Sequence, residues 1–313
     1  VLCKDIHSHT LAGMVSFDAD GNAGLDDPDS PWRKAIAVDA ARTPLPRLWR
    51  GVKIPGDSTT FDAADAETLK PYREAIAKIC GLVATQRPRL GYCQGLDYVV
   101  AYALRAAKLD PARARVLVNT LLDDLGFAGL FEPGLPGLKK RCLELSRLLD
   151  ARCPDLASRL AGHSVHVELF AAAWIQTLFV YVDALPMAVL DRVWTLLLLE
   201  RSWKIMHRLA LAIFAALEPH VLASCHAPHE TLIFLSQLTS GDRAERRRNK
   251  DAEHCGIPSD LLDDDDHGKK LLVSAMNIKV TNSMLARIVN NEALPKPLRA
   301  ANPTTPGIVT VDQ

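Results

Sequence analysis

Apolar residues recur at helical spacing along most of this chain, and that periodicity limits the fold more than any other feature. Between residues 63 and 86 they fall at Leu69, Tyr72, Ile76, Ile79 and Val83, as they do on one face of an α-helix. No stretch of useful length alternates as a half-buried strand does. Aromatic residues make up only 6% of the 313 residues, so leucine, alanine and valine must supply most of the core. The sequence therefore predicts an all-α fold with no significant β-sheet.

The same periodicity predicts further helices, which are separated by proline, glycine and capping residues. Asp110-Pro111 reads as an N-cap and first helical residue, and the helix that follows runs through Leu122. The segment after Arg42 contains several turn residues and cannot form a long helix. Other predicted helices cover about 166–181, 187–199, 203–222, 228–238 and 271–290.

The charge balance argues against two classes of function. Lysine plus arginine and aspartate plus glutamate number 37 each, so no general attraction to nucleic acid or anionic membrane is predicted. The seven cysteines are odd in number and scattered, which favours a reduced, intracellular protein. The longest apolar region, 169–190, is interrupted by Asp183 and Pro186, so we expect buried helices there and no transmembrane segment.

Three polar segments fall outside the helical pattern. Residues 1–29 are mixed and rich in aspartate and glycine, and we expect an N-terminal tail or loop there. A basic run at 243–250 and an acidic run at 263–266 are typical of solvated linkers or loops.

The first segment with a chemical signature runs from Ile36 to Pro44. Ser30-Pro31 predicts the N-cap and first residue of its helix, and Pro44 ends that helix. Arg42 is therefore expected at an exposed helix end, with Asp39 three residues earlier on the same face. Taken alone, this pair is also typical of an ordinary surface ion pair.

The second segment with a chemical signature runs from 91 to 99. It places Gln94 between a turn of small residues and the start of an apolar helix, 52 residues after Arg42. Taken alone, such a glutamine is also typical of a polar residue at a helix N-terminus.

Together the two segments read I-x-x-D-x-x-R-T followed by Y-x-Q-G, which resembles the TBC domain of GTPase-activating proteins for Rab GTPases. Trp174, Trp194 and Trp203 follow in the family's order, so the resemblance covers roughly residues 30–240. It implies a two-lobed, multi-helix domain. The N-terminal lobe, 30–162, would carry both motifs, and 163–313 would form the C-terminal helical lobe.

The resemblance also implies a role for each motif residue. Arg42 would be an arginine finger oriented by Asp39, and Gln94 would replace the water-positioning glutamine of the GTPase. Tyr92 would brace the loop, and Gly95 would let the backbone approach closely. Asp97 stands where asparagine is common in the family.

The implied partner is a Rab-family GTPase in its GTP-bound form, and the implied setting is the cytoplasm, with recruitment to endomembranes in vesicle traffic. No P-loop motif is present, so we expect no cofactor of the protein's own: GTP and Mg²⁺ would come with the partner. No metal site is predicted either, because the cysteines and histidines at 225, 226, 229, 254 and 255 match no standard zinc module. The alternative function is a non-catalytic helical adaptor that binds a small GTPase or another protein.

Overall fold

A computed structural model of the chain describes residues 30–55, 59–61, 64–238, 265–292 and 294. The chain divides into two compact units, 1–122 and 123–313. Among the described residues there is no strand, and a single isolated β-bridge joins Lys53 to Thr60. The predicted all-α fold is confirmed.

The first unit is built from helices connected by short turns. The polar N-cap side chain of Asp65 begins the longest of them by accepting a hydrogen bond from Thr68 N–H. Asp110 caps the last one as predicted, accepting from the backbone N–H groups of Ala112 and Arg113. The helices are α1 (Arg33–Arg42), α2 (Leu45–Leu48), α3 (Ala66–Gln86), α4 (Leu96–Ala106) and α5 (Pro111–Asn119).

Helices α3 and α4 form the centre of this unit, because α1 packs on both of them and α5 packs on α4. The predicted apolar face of α3 is largely buried, with Ile76 and Val83 fully enclosed. Trp49, just after α2, is also fully buried and meets Phe61 and Tyr72 edge to face, with ring centroids 4.8 and 5.3 Å away. The segment that follows Arg42 is thereby fixed to the core.

A π-helical turn at Thr120–Asp124 spans the boundary between the two units in the sequence, and a 3₁₀ turn at Phe127–Leu130 is the next element of the second unit. Its helices are α6 (Pro136–Arg152), α7 (Pro154–Gly162), α8 (Glu168–Gln176), α9 (Met187–Glu200), α10 (Lys204–Ser224), α11 (Pro228–Ser236), α12 (Asp265–Asn277) and α13 (Asn282–Val289).

Helix α10 is the centre of the second unit and packs against α6, α7, α9 and α12. It is the one described helix that is long and apolar enough to cross a membrane, but most of its apolar stretch is buried among these neighbours. Beside it, Trp174 packs with Phe170 and Phe214, and the Trp194 indole donates to the Leu178 carbonyl at 3.1 Å. All three tryptophans of the resemblance, Trp174, Trp194 and Trp203, are buried in the core.

Several predicted boundaries are wrong. The helix predicted from Pro31 begins at Arg33 after Trp32, and the Ser30 side chain does not cap it. The helix predicted over 166–181 ends at Gln176, because Leu178 and Phe179 both take positive φ angles and turn the chain. The helix predicted over 271–290 is two helices, since Thr281 caps a new one by accepting from Met284 N–H.

The units divide between Leu122 and Asp123, whereas the predicted lobes divide between 162 and 163. Helices α6 and α7 both pack on α10, and this contact assigns them to the second unit. The acidic run that was predicted as linker overlaps the start of α12 at Asp265. The predicted tail at 1–29 and the basic run at 243–250 lie outside the described residues.

Candidate functional site

The arginine motif occupies the C-terminal turn of α1. Ile36 and Ala40 are buried on the inner face, while Arg42, the last residue of the helix, is exposed. The helix end is held from α3, where Arg73 donates to the Ala40 carbonyl at 3.2 Å. The Thr43 N–H donates to the Asp39 carbonyl at 2.9 Å, and Pro44 then prevents further helix. Arg42 therefore projects from a fixed helix end, as predicted.

The glutamine motif lies in the turn between α3 and α4. Gly91 has φ +62°, and a β-carbon there would lie 2.8 Å from Nε1 of Trp32. The position thus requires glycine both for its backbone conformation and for the space that Trp32 occupies. Trp32, at the start of α1, thus contacts Gly91, at the start of the segment 91–95 that carries Gln94 and is called the glutamine loop below.

Gln94 itself is exposed at the tip of this turn. The next residue, Gly95, has φ 99° and forms the N-cap of α4, a left-handed conformation that disfavours any other residue. Its N–H donates to Oδ1 of Asp97 at 3.0 Å. The backbone directly after Gln94 is therefore fixed by a side chain from the first turn of α4.

Two side-chain hydrogen bonds join the motifs. The Tyr92 hydroxyl donates to Oδ2 of Asp39 at 2.8 Å. The Thr43 hydroxyl lies 2.8 Å from Oδ2 of Asp97 and 3.0 Å from the Asp39 carbonyl oxygen. The residues adjacent to Arg42 and Gln94 are consequently linked to one another through Asp97.

Burial shifts the protonation of these linking groups. It raises the pKa of Tyr92 well above its ordinary value, and the charge of Asp97 adds to the effect. The phenol therefore stays protonated and can donate its hydrogen bond to Asp39. Burial also raises the pKa of Asp97, which is only 2% exposed. Hydrogen bonds from Thr43 and Gly95 oppose that shift, while the charge of Asp39 reinforces it.

All five predicted site residues lie in the first unit, and hydrogen bonds join the two segments that carry them: Arg42, Gln94, Asp39, Tyr92 and Gly95. Asp39 contacts Tyr92 and, among the described residues, makes no ion pair with Arg42. No direct contact therefore supports its predicted role in orienting the arginine. Its carboxylate instead accepts a hydrogen bond from Tyr92 of the glutamine loop.

The sequence interpretation missed the contributions of Thr43 and Asp97. Both are buried polar residues, at 1% and 2% exposure, and they contact each other. The available signal was an aspartate two residues after a glycine at the start of an otherwise apolar helix, which indicates a side chain that needs polar partners.

The two exposed side chains are free to meet a partner. Within the described part of the chain, neither the Arg42 guanidinium nor the Gln94 amide has a hydrogen-bond or ion-pair partner in this structure. No group of three or more His, Cys, Asp or Glu residues that could hold a metal occurs in the described ranges either. The chemistry this site offers is a permanent positive charge and a neutral amide, both carried by one rigid framework.

The raised pKa of Asp97 predicts a pH-dependent stability. The folded protein binds this proton more tightly than the unfolded chain does. Its contribution to the free energy of unfolding is therefore full below the unfolded pKa, about 3.9, and is lost as pH rises through the higher folded pKa. Asp97→Asn should abolish this titration, so the wild type should lose stability relative to the variant as pH increases. Urea denaturation of both proteins across pH 4–8 checks this, and a constant difference would contradict it.

Among solved structures, the chain is similar to the Chlamydomonas flagellar RabGAP TBC domain. The TM-score is 0.55, with 19% identity over 80% of this chain and 68% of that one. The similarity shows that the chain has the fold of a TBC domain.

Sequence comparison identifies the family. The Rab-GTPase-TBC domain matches residues 57–222, which is more than half of the chain. The chain belongs to this family. The matched range includes Gln94 and begins after Arg42.

Two relatives give the extent of the similarity. Growth hormone-regulated TBC protein 1 of Rattus norvegicus is 30% identical over 156 residues, which is 49% of this chain and 51% of that protein. GTPase-activating protein GYP5 of Saccharomyces cerevisiae is 28% identical over 127 residues, 41% of this chain and 14% of that protein. The chain thus spans about half the length of the rat relative and a small part of the yeast one.

Proposed function

We propose that this protein accelerates GTP hydrolysis by a Rab-family GTPase, and that it supplies Arg42 and Gln94 to the GTP-bound partner. The observation that carries the proposal is the pair of exposed side chains, each without a partner among the described residues and each next to a residue that Asp97 binds. Membership of the Rab-GTPase-TBC domain family supports the choice of partner.

Arginine suits the first role because negative charge grows on the phosphate oxygens as the γ-phosphate leaves. A guanidinium is always protonated, and its planar fork can bond two oxygens at once. An arginine supplied by an activating protein accelerates such reactions by about 10³–10⁵. That factor corresponds to roughly 4–7 kcal/mol of activation free energy.

Glutamine suits the second role because its amide accepts and donates hydrogen bonds at the same time. The carbonyl oxygen can accept from the attacking water while the NH₂ group donates to a phosphate oxygen. A carboxylate could accept from the water but could not donate. Gln94 would then do the work of the GTPase's own switch glutamine.

In this proposal the protein holds no nucleotide or metal of its own, since GTP and Mg²⁺ belong to the GTPase. It acts in the cytoplasm and is recruited to endomembranes through its partners, where ending the GTP-bound state of a Rab regulates vesicle traffic.

A hydrolysis assay with a panel of purified Rab GTPases tests the proposal. The protein should raise the single-turnover rate of at least one GTP-loaded Rab. The arginine and glutamine variants described below should reduce this effect without loss of fold. Binding to a Rab with no change in its hydrolysis rate would contradict the proposal and favour the adaptor function.

A further inference from the structure

The Asp97 side chain forms a hydrogen bond with one residue of each motif. Each of these two residues directly follows an exposed site residue. Its Oδ2 lies 2.8 Å from the Thr43 hydroxyl, one residue after Arg42. Its Oδ1 accepts from Gly95 N–H at 3.0 Å, one residue after Gln94. The residue lies in the first turn of α4 and is only 2% exposed.

Among the residues that the structure describes, no cation acts on Asp97. Asp39 faces it from α1, Cys80 from α3 and Tyr92 from the glutamine loop, and each interacts with it electrostatically. A buried carboxylate beside another acid is unfavourable unless hydrogen bonds satisfy it. The two hydrogen bonds to Thr43 and Gly95 therefore stabilise Asp97 in this environment.

Two arrangements of the protons fit this geometry, one for the charged and one for the neutral carboxyl group. The Thr43 hydroxyl has one proton and two acceptors within reach, Oδ2 of Asp97 and the Asp39 carbonyl. If Asp97 is neutral, its own proton goes to Thr43 Oγ1, and the Thr43 proton goes to the Asp39 carbonyl. Every group is then satisfied. An asparagine can reproduce this arrangement, because its NH₂ donates to Thr43 while its oxygen accepts from Gly95.

We propose that Asp97 is a positioning residue, which holds the Arg42 and Gln94 backbones in register so that both side chains reach the same bound nucleotide. This inference rests on the proposed function and adds a buried residue that acts through the backbone next to Arg42 and Gln94. A displacement of about 1 Å in a catalytic group can lower a rate by about 10²-fold, so a rigid link of this kind has a large effect on catalysis.

The test compares Asp97→Ala and Asp97→Asn in stimulated hydrolysis with a responsive Rab. Asp97→Ala should lower kcat by about 10²-fold with little change in KM, because it disturbs geometry and not the docking surface. Asp97→Asn should stay within about 3-fold of the wild type, because it keeps both hydrogen bonds. Asp110→Ala is the matched control, since it removes another aspartate of the first unit that accepts two backbone hydrogen bonds.

A double-mutant cycle with Arg42→Ala separates positioning from lost stability. If Asp97 positions the arginine, adding Arg42→Ala to Asp97→Ala should lower the rate by much less than it does in the wild type. If Asp97→Ala only unfolded part of the protein population, Arg42→Ala would lower the remaining rate by the same factor as in the wild type. If Asp97→Ala does not fold, Thr43→Val takes its place, since it removes one of the two links and should lower kcat about 10-fold.

The outcomes distinguish the two proposals. Wild-type activity that survives in folded Asp97→Ala, or an asparagine variant as impaired as the alanine variant, overturns the positioning role alone. A wild-type protein that stimulates no Rab overturns the proposed function, and the positioning role with it.

Discussion

Replacing Arg42 with alanine should lower the stimulated rate of GTP hydrolysis by about 10³-fold or more. Arg42→Lys should be impaired to a similar degree, because lysine keeps the charge but lacks the planar fork that bonds two oxygens. The fold should be unaffected, since the side chain is exposed and has no described partner. Single-turnover hydrolysis with a responsive Rab measures the rate, and circular dichroism verifies the fold.

A matched control is available on the same helix. Arg33 is the first residue of α1 and is exposed, so Arg33→Ala removes the same charge from the opposite end. This variant should keep nearly full activity. Affinity gives a second measurement. The wild-type protein should bind the Rab loaded with GDP and a metal-fluoride phosphate mimic more tightly than the Rab with GDP alone, and Arg42→Ala should remove most of this difference. A folded Arg42→Ala protein with wild-type activity excludes the arginine-finger role.

The second large effect concerns Gln94 and the GTPase's own glutamine. A responsive Rab in which that switch glutamine is changed to leucine should hydrolyse GTP slowly alone and still respond to the wild-type protein. Gln94→Ala should lower this response by about 10²–10⁴-fold, because neither partner then offers an amide to orient the water. Gln86→Ala, which changes an exposed glutamine at the end of α3, should leave the response intact.

The leucine substitution can also disturb docking, so binding of the variant Rab is measured separately. If that Rab binds normally and the wild-type protein fails to stimulate it, Gln94 does not position the water. The arginine role would survive this result, because Arg42→Ala is tested with an unmodified Rab.

Local signals in the sequence were sufficient for much of the fold. The period of Leu69, Ile76 and Val83 predicts α3, and the Asp110 side chain caps α5 where the sequence places it. Both depend on residues within a few positions of each other. The exposed end of α1 at Arg42 was predictable for the same reason, because Pro44 lies two residues later.

The failures occur where tertiary contacts override local preference. Ser30 is a favourable N-cap residue, yet α1 begins after Trp32, whose indole packs over Gly91. Asp39 was expected beneath Arg42 and bonds instead to Tyr92, 53 residues away. A single sequence shows that a buried polar residue needs a partner but not which distant residue provides it, so the Thr43–Asp97 bond could not be predicted.

The links between the motifs also affect how this unit folds. Tyr92 and Asp39 are 53 residues apart, Thr43 and Asp97 are 54 apart, and Trp49 and Ala101, which fix the adjoining segment, are 52 apart. Contacts at such separation form only after a long loop has closed, and that closure loses chain entropy. We therefore expect the arginine and the glutamine to come into register late in folding, after α3 has formed between them. Fraying of α1 alone would separate them while most of the unit's helices remain intact.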